Sequence, residues 1–276
     1  MFLTKKDNIF IYTISAAWAL LGVLWFALIY EPDANGNILT STAFLHLLWF
    51  AVAIINIPIS RYSRGAAKLI RIADKLIRRD LDPESFIKIF ESYMSDSLCV
   101  VKKPHFEVWR KAIEAYYYSG RLDDALDLAD KLIPAVRGQK RKRIVLVKAS
   151  LLYNCGRVEE ADALVDAVKK GRLGLFAKTA LVSVLEGNRS FAVGDFARAE
   201  DFARKTLLRI PAGYQLYALG WHMMLGKICK ATKRPEEARM HLEFCVKNGG
   251  KTAYVSQALE LINELAKTKM GDGQLS

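Results

Sequence analysis

"SGRLDDALDLADKL", Ser119 to Leu132, sets a glycine, an acidic pair and an alanine in a fixed order, and the chain repeats that order. "CGRVEEADALVDAV" follows at Cys155 to Val168, and a looser "KRPEEARMHLEFCV" at Lys233 to Val246. Aligning on the alanine brings Ala125, Ala161, Ala199 and Ala238 into register, with spacings of 36, 38 and 39 residues. Recurrence near that period predicts stacked helical hairpins, here about four of them. Five residues before the first three alanines stand Gly120, Gly156 and Gly194; in the fourth unit the slot is Lys233, with Pro235 supplying the break. A glycine there ends one helix in the left-handed conformation. The acids that follow, Asp123 with Asp124, Glu159 with Glu160 and Glu236 with Glu237, favour the start of the next helix. The alanine lets two helix axes approach closely. The acids themselves read as a solvated outer surface.

Working outward, Trp109, Tyr116 and Gly120 lie sixteen, nine and five residues before Ala125. Gly187 and Gly226 each lie twelve before their alanines, and Pro211 twelve after Ala199. This pattern resembles the tetratricopeptide repeat over about residues 104 to 250. The middle units depart from it, with Val145 and Leu152, then Ser183 and Ser190, in the tryptophan and tyrosine places. Every spacing also exceeds the family's usual 34 residues or so. After the last unit, "TAYVSQALELINELAKTK" puts Tyr254, Ala258, Leu261, Ile262 and Leu265 on one helical face, as expected of a capping helix.

The resemblance implies that function lies on the concave face made by the first helix of each unit. Carried over by position, the partner-binding groove contains Arg110, Glu114 and Tyr117, then Arg143, Leu146, Ser150, Tyr153 and Asn154. It continues with Val184, Asn188 and Phe191, and ends with Met223, Lys227 and Lys230. The family often uses asparagine at the place of Asn188 to hold a peptide backbone. Val184, where the terminal-carboxylate-binding subfamily places a base, argues against a C-terminal-peptide clamp.

The N-terminal part has another composition. Residues 1 to 60 carry only Lys5, Lys6, Asp7, Glu31 and Asp33 as charges, a net of −1, against +13 for the remainder. The uncharged runs at about 8–30 and 38–60 reach the roughly 20 residues that cross a bilayer as helix, so residues 1–60 are expected to form a transmembrane hairpin. Lysines before the first run and Arg61, Arg64, Lys68 and Arg71 after the second place both termini and the repeat domain in the cytoplasm, and the compact anchor points to a bacterial inner membrane. Within residues 61–103, "RGAAKLIRIADKLIRR" gathers Arg64, Lys68, Arg71, Lys75, Arg78 and Arg79 into an arc of about 100°, with apolar residues opposite. That stripe either faces anionic lipid or is solvated, while its apolar side joins the domain core. The expected fold is therefore all-α: the hairpin at 1–60, a linking region at 61–103 and a tetratricopeptide-like solenoid at 104–276.

No nucleotide-binding loop, metalloprotease helix or nucleophile elbow occurs, so no enzyme and no cofactor are expected. His222, Cys229, His241 and Cys245 are the only cluster of metal-ligand types, but His222 and Cys229 lie about 10 Å apart along their helix, and the reading is no metal site. Four scattered cysteines fit reduced thiols. The function expected is a membrane-anchored scaffold that recruits a protein or peptide, itself membrane-associated. The alternative is an RNA-binding solenoid using the basic tract "RGQKRKRIVLVK", Arg137 to Lys148; nucleic acid is the less favoured partner because aromatic neighbours are few.

Overall fold

The computed structural model describes residues 65–95, 105–170, 180–211 and 214–272. Among the described residues every regular element is helical. Two compact units divide the chain. Of the first, Met1–Leu69 with Glu91–Lys102, the described residues 65–69 and 91–95 are helical. The second, Ile70–Phe90 with Lys103–Ser276, contains the repeats.

Its helices are α1 (Pro83–Ser95, whose last turn belongs to the first unit), α2 (Phe106–Tyr118), α3 (Leu122–Ala135), α4 (Gly138–Asn154) and α5 (Val158–Lys170). They continue as α6 (Ala180–Ala192), α7 (Phe196–Leu207), α8 (Gln215–Ala231), α9 (Pro235–Asn248) and α10 (Ala253–Asp272). Helices pair as α2/α3, α4/α5, α6/α7 and α8/α9, each pair packs on the next, and α10 packs on α9 and α8.

One turn is built four times. Gly120, Gly156 and Gly194 have φ of 82°, 74° and 79°, and Lys233 adopts 58° in the slot that lacks glycine. The next residue closes the turn in each case: Arg121, Arg157, Asp195 and Arg234 donate their backbone N–H to the carbonyls of Tyr116, Leu152, Ser190 and Cys229 at 2.8–2.9 Å. This is the six-to-one bond that satisfies the last helical carbonyls. Three of these closing residues are arginines whose guanidinium holds an acid three places on: Arg121 to Asp124 at 2.7 Å, Arg157 to Glu160 at 2.7 Å and Arg234 to Glu237 at 2.8 Å. The recurring acids thus brace their own turns as well as facing water. Behind each turn Ala125, Ala161, Ala199 and Ala238 are fully buried.

Between units, small residues receive large ones. A Cβ at Gly187 would lie 3.0 Å from the ring of Trp221 on α8. Trp221 forms a core with Ala199, Ala203, Leu225 and Ile228. Outside that core, α7 and α9 are tied by Glu200, Arg204, Arg234 and Glu237, where Arg234 meets both carboxylates and Arg204 does the same.

The stack also returns on itself. Gly250 packs so closely on Leu81 that a Cβ there would sit 2.6 Å from the Leu81 Cβ. Lys251 donates its N–H to the Leu81 carbonyl at 2.9 Å and its ammonium to Asp82 at 2.6 Å. Gly120, at the turn after α2, meets Ala253 at the start of α10. The last helix therefore abuts the first hairpin. Just before Leu81, Asp74–Arg79 forms a π-helical turn, a local widening often found at functional sites. It sends Asp74 to Lys111 at 2.7 Å and Arg78 towards Glu114 at 3.8 Å.

Among the described residues no helix is long and apolar enough to cross a membrane, because the described helices alternate buried apolar and solvated charged faces. This corrects the expected placement as an integral protein of a bacterial inner membrane with a cytoplasmic repeat domain. The runs at 8–30 and 38–60 on which that expectation rested lie outside the described residues, as does Arg64 of the basic stripe. Of the rest of the stripe, Arg71, Lys75 and Arg79 are exposed, whereas Lys68 and Arg78 are half-buried. The opposite side contributes Ala73 and Ile77 to the core.

Candidate binding groove

The first helices α2, α4, α6 and α8, together with α10 and the α7–α8 connection, surround a groove of about 750 Å³. Of the residues expected to form a partner site, Arg110, Glu114, Tyr117, Arg143, Asn154, Asn188, Phe191 and Lys227 line it, as do Ser150, Val184 and Met223. Tyr153 does not: it is 3% exposed and its hydroxyl donates to Asp162 on α5 at 2.5 Å. Lys230 does not either, because its ammonium pairs with Glu264 on α10. Both side chains find a carboxylate on an adjacent helix, a contact that positional carry-over cannot show. Leu146 is also absent from the lining.

On the α2 side the charges are matched. Arg110 bonds Glu107 at 2.8 Å and Glu114 at 3.4 Å. Glu114 also receives Lys111, which is buried, at 3.2 Å. Across the α4–α6 contact the Asn188 amide donates to the Ser150 hydroxyl at 2.8 Å. Asn154 donates to the Ser150 carbonyl, also at 2.8 Å. The two asparagines are thus fixed in place before any ligand arrives, each with an amide oxygen and a second N–H still to satisfy.

Aromatic rings make the α10 wall. Tyr254 donates its hydroxyl to that of Tyr117 at 3.1 Å, and Tyr118 packs edge-on against both rings. Burial raises the pKa of Tyr117 and Tyr254, so both stay protonated at neutral pH. Tyr217 lies under the Arg78 guanidinium, 6.0 Å from ring centre to carbon. Repeat position gave no hint of Arg78 or Tyr254 here, because each reaches the groove only through closure of the stack; Tyr217 stands on α8 itself.

On α8, Gly220, Met223 and Lys227 follow one another at helical spacing along the lining. Lys227 is half-buried, and burial lowers its pKa. No carboxylate lies within ion-pair reach of it among the described residues.

The His/Cys cluster lies apart from this groove. His222 and His241 meet through their Nδ1 atoms at 2.9 Å, so one ring donates and the other accepts. Ligand atoms of Cys229, Glu237 and His241 lie within 4.8 Å of one another, but Arg204 and Arg234 already hold the Glu237 carboxylate. Burial pushes the Cys229 thiol up to about 11. Cys245 instead donates its thiol to the Leu219 carbonyl at 3.5 Å. Cys155, Cys229 and Cys245 are free thiols, and Cys99 lies outside the described residues.

Acid should destabilise the protein in two stages. Burial, with His241 adding to it, lowers the His222 pKa from 6.5 to about 4. Its contribution to stability is complete above pH 6.5 and is lost as pH falls towards 4, where only the unfolded chain takes up the proton. Hydrogen bonds from Arg234 first, then Arg204, lower Glu200 from 4.5 to about 2, so its contribution is complete above pH 4.5 and is lost as pH falls towards 2. Thermal melting against pH should show both stages. His222→Gln should shrink the upper one, to which His241, also lowered by burial, still contributes, and Glu200→Gln the lower, to which Glu237, lowered by its bond from Arg204, still contributes.

The basic tract forms the start of α4, where Lys148 pairs with Asp130 at 2.5 Å and Lys140 stands 5.5 Å from the Phe106 ring centre. No protein-family model matches the sequence, and no curated protein matches it.

Proposed function

We propose that the protein is a tetratricopeptide-like scaffold that recruits a protein or peptide segment through the groove formed by α2, α4, α6, α8 and α10. The observation that carries this reading is the convergence of side chains from four successive first helices on one concave surface. The groove combines aromatic rings with arginines, a composition enriched where proteins bind partners. Asn154 and Asn188, held by Ser150, offer amide groups of the kind that read an extended backbone. No catalytic group is assigned, since no nucleophile stands beside a base in the groove among the described residues.

Photo-crosslinking in the native cell separates this from an outer-surface interaction. A benzoylphenylalanine at Val147, in the lining, should give discrete protein adducts, while one at Met240, which is 58% exposed outside the groove, should not. Adducts from Met240 and none from Val147 would sink the proposal; nucleic acid in place of protein at Val147 would sink the choice of partner.

A further inference from the structure

The geometry points to a second ligand at the α8–α10 end of the groove: a small organic anion, with a carboxylate head taken by Lys227 and an apolar body lying on the methionine and aromatic wall. This rests on the groove being a binding site, not on what the recruited partner is.

The charges facing the groove are Arg78, Arg110, Arg143, Arg209 and Lys227 against Glu114 alone. Arg78 and Arg110 share Glu114, and Arg143 approaches Glu107 at 4.0 Å. Lys227 and Arg209 have no carboxylate in ion-pair reach among the described residues. Two positive side chains are therefore left over in the lining, Arg209 ahead of α8 and Lys227 towards its C-terminal end. Lys227 is the more informative of the two, because it is half-buried in the middle of a helix rather than free in solvent. Holding an ammonium there without a counter-ion is costly, and a bound oxyanion removes that cost.

The surroundings specify the rest of the ligand. Met223, Met224 and Trp221 line the same stretch of α8, and Tyr254 stands over Gly220, whose missing Cβ leaves room for the hydroxyl at 3.2 Å. Thioether and aromatic surfaces favour an acyl or aryl body. The Tyr117–Tyr254 pair uses one of its two hydroxyl protons internally, whichever ring donates. One O–H is left to bond an acceptor from outside the pair. The asparagines that suit a peptide backbone belong to α4 and α6, whereas Lys227 belongs to α8.

Decanoate and its neutral counterpart decanol, each below its aggregation concentration, test this on the purified full chain by displacement of anilinonaphthalene sulfonate. Decanoate should bind about ten-fold more tightly than decanol, the size of one charge-assisted contact. Lys227→Met should abolish that preference while leaving decanol binding intact and raising Tm, since the uncompensated charge is gone; Lys227→Arg should retain much of the preference. Lys230→Met, which removes a lysine paired with Glu264 outside the groove, should leave the preference unchanged. Equal binding of decanoate and decanol, or a preference that survives Lys227→Met, would overturn the inference. Photo-crosslinking from Val147 is unaffected by either result, so the scaffold reading stands or falls separately.

Discussion

Gly226→Val should destabilise the repeat unit by about 3 kcal/mol, lowering Tm by roughly 6 to 12 °C. A Cβ at this position would lie 2.7 Å from Leu242 Cδ2 and 2.8 Å from its Cγ, well inside van der Waals contact. Leu242 is fully buried and cannot swing away. The valine must therefore force α8 and α9 apart along their whole contact. Gly226→Ala separates two opposing effects: alanine is better than glycine in a helix by about 1 kcal/mol, but it still meets Leu242, so the net change should be small. Leu242→Ala alone should cost about 2 to 5 kcal/mol by opening a cavity. Combined with Gly226→Val it should cost less than the sum, because the valine occupies part of that space. Chemical denaturation of the four proteins gives the coupling directly.

Gly250→Val should cost a similar amount, about 3 kcal/mol, by a different route. Gly250 has φ of 58°, where a side chain costs about 1 to 2 kcal/mol. Its added Cβ would also meet the Leu81 Cβ at 2.6 Å and the Leu81 carbonyl at 3.1 Å. The damage should be local before it is global. Hydrogen exchange should accelerate first at the Lys251 amide, which donates to Leu81, and then around Tyr117 and Tyr254. Exchange that accelerates uniformly across α4 to α9 would show instead that closure and stacking form one cooperative unit.

These two glycines mark how far the sequence could be read. Gly226 belongs to the recurring pattern and was visible by its place before Ala238. The turns were visible too, down to Lys233 in a glycine slot, because a left-handed residue five before a buried alanine is a local requirement. What the acids do was only half legible. Their helix-starting role follows from position, but the bond from each turn arginine depends on side-chain geometry. Gly250 belongs to no repeat, and its partner Leu81 is 169 residues away, so no periodicity could announce the contact. The groove followed the same division. Residues placed by the first helices alone, such as Arg110, Tyr117 and Asn188, could be picked out by position. Arg78 and Tyr254 could not, since the π-helical turn and the return of α10 bring them there. Tyr153 and Lys230 have groove positions in the repeat, yet each turns to a carboxylate on a neighbouring helix.

Closure of the stack supplies the tyrosine wall and bounds the groove. Carbodiimide coupling joins only amines and carboxylates already in contact. Lys251 Nζ lies 2.6 Å from Asp82 Oδ2, and the carboxylate that the reagent must activate is 12% exposed. The local pairs Lys148–Asp130 at 2.5 Å and Lys111–Glu114 at 3.2 Å serve as internal standards, the second with a carboxylate 13% exposed and so matched to Asp82 in access. Peptide mapping should find Asp82 joined to Lys251 alongside both standards; standards that couple while Asp82 and Lys251 never do would contradict a closed stack.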